Sequence, residues 1–573
     1  MKGSLRASTI LIKNARVIDG TGSPGYDADI FIKGDTIEKI GRKLNVKSDR
    51  TIDAKGLVAC PGFIDAHHHS DAMPLYDQPG LEGFVSQGTT TESLGHCGYS
   101  IFPTKEAYAM HAASSPWGAL WWAQTVSADK TNNWKSGTEY YNLVEKIGLP
   151  LNMVPHIGVG TIAYAAGYHP EKVSQIRKPT AQEKEKMLHL VEQGMKEGAA
   201  GLSMSMSYPP DRHVPDDLRI EMLKIAKNYG GNMQIHVEAI CGIAGVVHAI
   251  QLAKAADIPL HISHNNLDPA CTQGYPDSSK VMAEVLQNID KVRAEGMDIT
   301  FDVLQYVYIP FLAEALGQFA FPFVLSRYSD NPPKGSETPE SYAKNLSSPA
   351  FRELVKKEIT NCIGLAADYM DSMFKEHLDL NGVFNTGDPH LEGRTVGEIA
   401  KEYGVKPFDL FFDIAFGVAP MFPKDAKPHF GLPVQGSEEN ILAATLHPLA
   451  APGTDVGTSE LPDAVTPWPQ GYGAMALFFK HCKDAGLCLE DTIKKMTSLP
   501  ASVYQLDDRG VLKAGMKADI AIIDPKTYGP KATVYDPNAK ATGVHYTIVN
   551  GTVVWENGKL TKEKPGRVLL KER

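Results

Sequence analysis

Cysteine is sparse and unpaired in this chain. The seven residues, Cys60, Cys97, Cys241, Cys271, Cys362, Cys482 and Cys488, form no Cys-x-x-Cys pair. An odd, scattered set argues against a disulfide framework and fits a reducing compartment. No stretch reaches the roughly 18 consecutive apolar residues that a membrane span needs. The opening MKGSLRASTILIKNARVIDG shows neither a sustained apolar core nor a small-residue cleavage site, so the cytoplasm is the expected location. An excess of basic charge is also missing. The formal net charge of −10 works against broad nucleic-acid binding. No internal repeat or low-complexity tract stands out. What remains is an ordinary globular composition, 43% hydrophobic and 22% charged. A length of 573 residues allows two or three domains, or one large barrel with attachments.

Both ends of the chain alternate in the period of two that marks β-strands. STILIKNARVIDG, DADIFIKGDTIEKIG and TIDAKGLVACPG open it; ADIAIID and GVHYTIVNGTVVWENGKL close it. Asn550-Gly551 and Asn557-Gly558 are strong hairpin-turn pairs. Two β-rich ends around a different middle point to one small β-domain assembled from both termini. The middle alternates strand and helix. TAQEKEKMLHLVEQGMKEG opens with Thr180 and Glu183 at capping-box spacing. The strand AAGLSMS follows, then a helix from about 216 to 229, the strand NMQIHV, a helix from about 242 to 256, the strand PLHIS, and later MDITFDV. This rhythm favours a (β/α)8, TIM-like barrel over a doubly wound sheet. The expected division is 1–60 for the first part of the small β-sandwich domain, 61–480 for the barrel, 481–510 for its closing helices and 511–573 for the rest of the β-domain. The stretch from about 307 to 390, which contains DNPPKGSETPES, breaks the rhythm and reads as an insertion with the character of a lid.

The chemistry concentrates at strand ends. In PGFIDAHHHSD, His67 and His69 are two apart and point to one side of a strand, while His68 faces away. Asp65 shares their parity. A bare His-x-His leaves open a polar strand end without metal. His236 ends NMQIHV, and His264 ends PLHISH one βα unit later. Each alone is compatible with a satisfied core histidine; together with His67 and His69 they suit zinc, with iron, manganese and cobalt also open. His261 lies deeper in its strand and reads as core or as a supporting residue. Asp455, in LAAPGTDVGTSELP, is a carboxylate at a late strand end, placed to take a proton from an activated water and pass it to a leaving amine. Cys97, in GTTTESLGHCGYS, reads by itself as a small buried hydrophobe; beside a divalent metal its thiolate is a ligand.

These segments resemble the D-aminoacylase (N-acyl-D-amino-acid deacylase) family of the amidohydrolase superfamily. LIKNARVIDGTGSPGYDADIFIKGDTIEKIG, PGFIDAHHHSD, GTTTESLGHCGYS, EGAAGLSMSMSYPP, LEGRTVGEIAKEYGVKPFD and LPASVYQLDDRGVLKAGMKADIAIIDP carry the resemblance along nearly the whole chain. It implies a barrel beside a small β-domain, one tight zinc site on Cys97, His236 and His264, a second, weaker site on His67 and His69, and Asp455 as general base and acid. GLSMSMS offers no lysine to bridge two metals, and the resemblance gives that place to Cys97. Tyr306 matches the family's carboxylate-contacting tyrosine. The family's His-His-Lys becomes His264-Asn265-Asn266 here, which removes the lysine that helps to hold a substrate α-carboxylate and leaves Asn266 in its position. The family's Gly-His-Gly-Thr-Leu-Arg is also reduced, to Gly158-Val159-Gly160-Thr161-Ile162-Ala163.

The expected function is zinc-dependent hydrolysis of a linear amide, of the N-acyl-D-amino-acid deacylase kind. A second reading keeps the metallohydrolase and changes the bond to another amide, a cyclic amide or a lactone lacking the α-carboxylate. A third is a non-catalytic scaffold on the same fold, which the intact set of ligands disfavours. The expected partners are a small N-acylated or amide substrate and further copies of the chain in a homo-oligomer, with no nucleic acid.

Overall fold

A computed structural model describes residues 8–76, 81–114, 123–170, 172–237, 243–266, 278–313, 321–366, 380, 382–432, 437–456 and 468–571. The two ends of the chain meet in one sheet of nine strands. Thr9–Val17, Tyr26–Lys33, Thr36–Gly41, Arg50–Asp53 and Val58–Pro61 come from the first end; Ile520–Ile523, Val544–Val549, Thr552–Glu556 and Lys559–Leu560 come from the last. The seam is the antiparallel pair of Val58–Pro61 with Ile520–Ile523. Alternate isoleucines, among them Ile10, Ile12, Ile30, Ile32, Ile520, Ile522 and Ile548, share one buried cluster. Both Asn-Gly turns have the two positive φ angles of a tight hairpin: 45° and 75° at Asn550-Gly551, 49° and 82° at Asn557-Gly558.

Between these ends runs a parallel α/β layer in two arcs. Phe63–Asp65, Thr89–Leu94 and Asn152–Pro155 form one. Ile157–Gly158, Gly201–Ser205, Asn232–His236, Leu260–Ile262, Ile299–Val303 and Ala450–Pro452 form the other. Backbone hydrogen bonds link the arcs at both margins. The Ala66 N–H donates to the Pro452 carbonyl at 3.0 Å, and the Ala200 N–H to the Pro155 carbonyl at 2.8 Å. Helices follow the strands, as the capping residues forecast. Ala181–Lys196 starts at a capping box in which Thr180 and Glu183 each satisfy the other's backbone N–H. It buries Met187, Leu190, Val191 and Met195, spaced as one helical face.

After Ile299–Val303 the alternation of strand and helix gives way to a small antiparallel sheet. Ile309–Leu312 and Gly382–Phe384 both pair antiparallel with His429–Leu432. The helices Phe321–Tyr328, Pro339–Asn345, Pro349–Ala366, Val396–Tyr403 and Pro407–Ala415 lie within that excursion. The small sheet therefore extends the irregular unit past 390 to Leu432. Residues 314–320, 367–379 and 381, which belong to the expected insertion, lie outside the described residues.

Asp519 joins the terminal sheet to the parallel layer. Its carboxylate pairs with Arg509, accepts the Asn550 N–H at 2.6 Å, and accepts the Asn152 amide from a parallel strand at 3.1 Å. Both members of the ion pair are buried. Asp519→Ala leaves Arg509 buried without its main partner. It is expected to cost about 3 kcal/mol or more, seen as a lower denaturation midpoint of the purified chain; an unchanged midpoint would contradict this role.

Candidate metal centre

Every histidine chosen from the strand-end pattern, with Cys97 and Asp455, converges at the same end of the parallel strands. His67 and His69 follow Phe63–Asp65, and their Nε2 atoms lie 3.4 Å apart. His68, past the strand end at Asp65, points away from the cluster. Its ring packs edge-on against Phe84 at 4.4 Å, and its Nδ1 accepts the Ser70 N–H at 3.0 Å. Cys97 sits at the centre of the cluster. Its Sγ lies 3.4 Å from His67 Nε2, 3.5 Å from His236 Nδ1 and 3.6 Å from His264 Nε2. His236 Nδ1 and His264 Nε2 are 2.7 Å apart. Asp455 closes the other side, with Oδ1 3.2 Å from His67 Nε2 and 3.0 Å from His69 Nε2. Two overlapping donor groups result: His67, His69, Cys97 and Asp455; and Cys97, His236 and His264.

The backbone is bent to achieve this. Cys97, His264 and Asp455 have φ of 52°, 32° and 56°, a region that costs a non-glycine residue about 1 kcal/mol or more. Local bonds hold them there. Gly98 must be glycine, because at φ +81° a Cβ would stand 2.7 Å from Asp211 Oδ2. The Gly98 N–H donates to Ser203 Oγ at 3.0 Å, so the strand that lacks a bridging lysine anchors the Cys97 loop instead. Asp65 accepts the Thr454 hydroxyl at 2.6 Å and the N–H groups of His67 and Thr454 at 3.1 Å each. It thereby fixes the turn that carries Asp455. Burial pushes the Asp65 carboxyl up to about 7, against the Thr454 hydroxyl bond.

Charge in the centre is coupled. Burial opposes ionisation of Cys97, yet the neighbouring His67 and His236 hold its thiol well below the usual value. Burial likewise opposes the Asp455 carboxylate, and His67 and His69 hold it well below the usual range. A thiol and a carboxyl group thus face four imidazoles.

This donor set fits a divalent cation of zinc's character, which takes thiolate, imidazole and carboxylate ligands. Bonds of about 2.3 Å to sulfur and 2.0–2.1 Å to nitrogen place tetrahedral ligands roughly 3.3–3.7 Å apart. The two sulfur–nitrogen edges of the Cys97, His236 and His264 group match; the nitrogen–nitrogen edge, at 2.7 Å, is tighter.

The two residues chosen for substrate contact lie differently. The Tyr306 hydroxyl donates to the Ala532 carbonyl at 3.0 Å. The Asn266 amide is stapled to Leu304, accepting its N–H and donating to its carbonyl at 2.9 Å each. Two residues given no role in the centre stand close to it. His96 stacks on His67 at 4.4 Å, and Asp302 lies 3.3 Å from His67 Nδ1. Asp302 was open to detection, because it is an acidic residue one place before the end of the buried strand Ile299–Val303.

Residues 163–555 match the model of the amidohydrolase family. The chain belongs to that family. It is 26% identical over 566 residues to a D-aminoacylase of Alcaligenes xylosoxydans xylosoxydans, covering 98% of this chain and 97% of the relative. An N-acyl-D-glutamate deacylase of the same organism is also 26% identical, covering 98% and 96%. The fold is like that of a D-aminoacylase crystal structure, with a TM-score of 0.70, 24% identity, and 98% and 99% of the two chains covered. The hydrolase identity expected from the sequence thus stands, and this family member is D-aminoacylase-like. Among the described residues no helix is long and apolar enough to cross a membrane.

Cys97 is the one residue common to both donor groups. Cys97→Ala is expected to weaken zinc binding by about 100-fold or more, the upper end of what losing even a supporting residue costs. Competition against a chromophoric chelator measures it, and parent-like affinity would contradict the assignment.

Proposed function

We propose that this amidohydrolase is a zinc enzyme that cleaves a linear amide, in the manner of an N-acyl-D-amino-acid deacylase. The observation that carries the reading is the position of Asp455, its carboxylate 3.0 and 3.2 Å from two imidazoles of a centre that also holds Cys97. The tight metal would sit on Cys97, His236 and His264, and a weaker one on His67 and His69. When bound, zinc supplies a Lewis acid that lowers the pKa of water and polarises the scissile carbonyl. Asp455 is the base that receives the water's proton and the acid that returns it to the departing nitrogen. An Asp carboxylate is ionised at neutral pH and so can act as a base there. The same reading takes the two linked arcs as a (β/α)8 barrel and the terminal sheet, folded over its isoleucine cluster, as the accompanying β-sandwich. It takes the 307–390 insertion as a lid. It places the protein in the cytoplasm, supported by Cys60, Cys482 and Cys488, which form no disulfide.

A second reading has its own observation. The Tyr306 hydroxyl is engaged by Ala532, the Asn266 amide is engaged by Leu304, and Asn266 stands where the family resemblance leads one to expect lysine. The Tyr306 hydroxyl would have to leave its partner to donate to an α-carboxylate, and the Asn266 amide brings no positive charge to one. That favours a substrate without one: a peptide-like amide, a cyclic amide or a lactone.

Asp455→Asn is expected to lower kcat about 10³-fold while zinc content stays at the parent level; an active variant would remove Asp455 from the chemistry. A panel of N-acyl-D-amino acids, N-acyl-L-amino acids and carboxylate-free amides separates the two substrate readings. Preference for N-acyl-D-amino acids supports the first, and faster turnover of carboxylate-free amides supports the second.

A further inference from the structure

Asp302 is fully buried one residue before the end of Ile299–Val303, and each of its carboxylate oxygens is committed. Oδ1 accepts the backbone N–H of His264 at 2.8 Å. Oδ2 lies 3.3 Å from His67 Nδ1 and 3.1 Å from His261 Nε2. His261 Nδ1 in turn lies 2.8 Å from the Thr300 hydroxyl. The main chain repeats the link, since the Asn265 N–H donates to the Asp302 carbonyl at 2.8 Å. One residue therefore touches a histidine of each donor group. The neighbouring strand end makes room for it: a Cβ on Gly453 would fall 2.7 Å from Asp302 Oδ1 and 2.9 Å from His67 Cβ.

We propose that Asp302 is the positioning residue that presets both donor groups of the centre. It fixes the His67 tautomer through Nδ1 and holds the His264 backbone in its left-handed turn. The inference rests on the metal reading above. A carboxylate opposite Nδ1 keeps the imidazole proton on that nitrogen, so the Nε2 lone pair points at the cluster. His67 Nε2 is the atom that lies 3.4 Å from Cys97 Sγ. The Thr300 hydroxyl, donating to His261 Nδ1, leaves the His261 Nε2–H to donate to Asp302. The carboxylate is then oriented from behind, and His261, deep in its strand, serves the centre at one remove.

Asp302→Asn tests this with little change of shape. The amide oxygen can still accept the His264 N–H, but the amide nitrogen donates toward His67 Nδ1. The imidazole proton is driven to Nε2, facing Cys97. The full-length chain is stripped, reloaded, and titrated with zinc against a chromophoric chelator. Asp302→Asn is expected to weaken zinc binding about 10- to 100-fold. It should also shift the thiolate charge-transfer band of the cobalt(II)-loaded protein, which a merely structural loss of stability would not move. In a His67→Ala background the same substitution should have a smaller effect. Thr300→Val leaves Asp302 in place and removes only the hydroxyl behind His261; it should weaken zinc binding in the same direction by less, and it keeps the test decisive if Asp302→Asn is insoluble. Unchanged zinc affinity and an unchanged cobalt spectrum in whichever variant folds overturn the proposal alone. A parent chain without zinc affinity overturns the metal reading and this proposal together.

Discussion

The structure depends on one crowding constraint. A thiol, four imidazoles and a carboxylate, from strands far apart in sequence, approach within hydrogen-bonding distance in a buried space. Lone pairs at such separations repel unless positive charge stands between them. Burial raises the stakes, because water screens nothing there. Such a cluster persists only if a cation or shared protons bind it and the surrounding fold over-determines its geometry. The pull on Cys97 and Asp455 below their usual ionisation ranges expresses the same demand for positive charge.

The fold meets that demand with rigid parts. Parallel strands deliver side chains to one end of the layer, where the backbone turns away and the last residue of each strand is free to face inward. Cys97, His264 and Asp455, just past their strands, sit at positive φ and are tied down by Ser203, Asp302 and the Asp65–Thr454 contact. Missing side chains matter as much, since Gly98 and Gly453 each leave space that a neighbouring carboxylate fills. The terminal sheet stands behind the layer. Asp519 bonds to Asn152 across that junction, and the Tyr504 hydroxyl donates to the Ala66 carbonyl beside His67 at 2.5 Å.

How much of this was legible follows from the range of each signal. The period of two in a strand separates His67 and His69 from His68 without any knowledge of the fold. The capping box at Thr180 and the Asn-Gly turns are equally local. Cys97 lies in a loop at positive φ, where no periodicity operates, so its place came from resemblance alone. The antiparallel pairing of His429–Leu432 with Ile309–Leu312 is wholly non-local. The intervening helix Val396–Tyr403 carries an ordinary capping box at Thr395 and Glu398, a local signal that says nothing of that pairing. Tyr306 was reached by motif alone. The matching residue is present, but its hydroxyl is drawn to Ala532 in the C-terminal part of the chain. Asp302 stood in view near a strand end, yet its importance arises only when three strands place His67, His261 and His264 around it.

The central claim is that Cys97 and the strand-end histidines form one metal centre. Zinc-edge X-ray absorption of the full-length, zinc-loaded protein tests it most directly. The account predicts one sulfur scatterer at about 2.3 Å with imidazole nitrogens at 2.0–2.1 Å. A zinc shell made only of oxygen and nitrogen, with no sulfur, would contradict it.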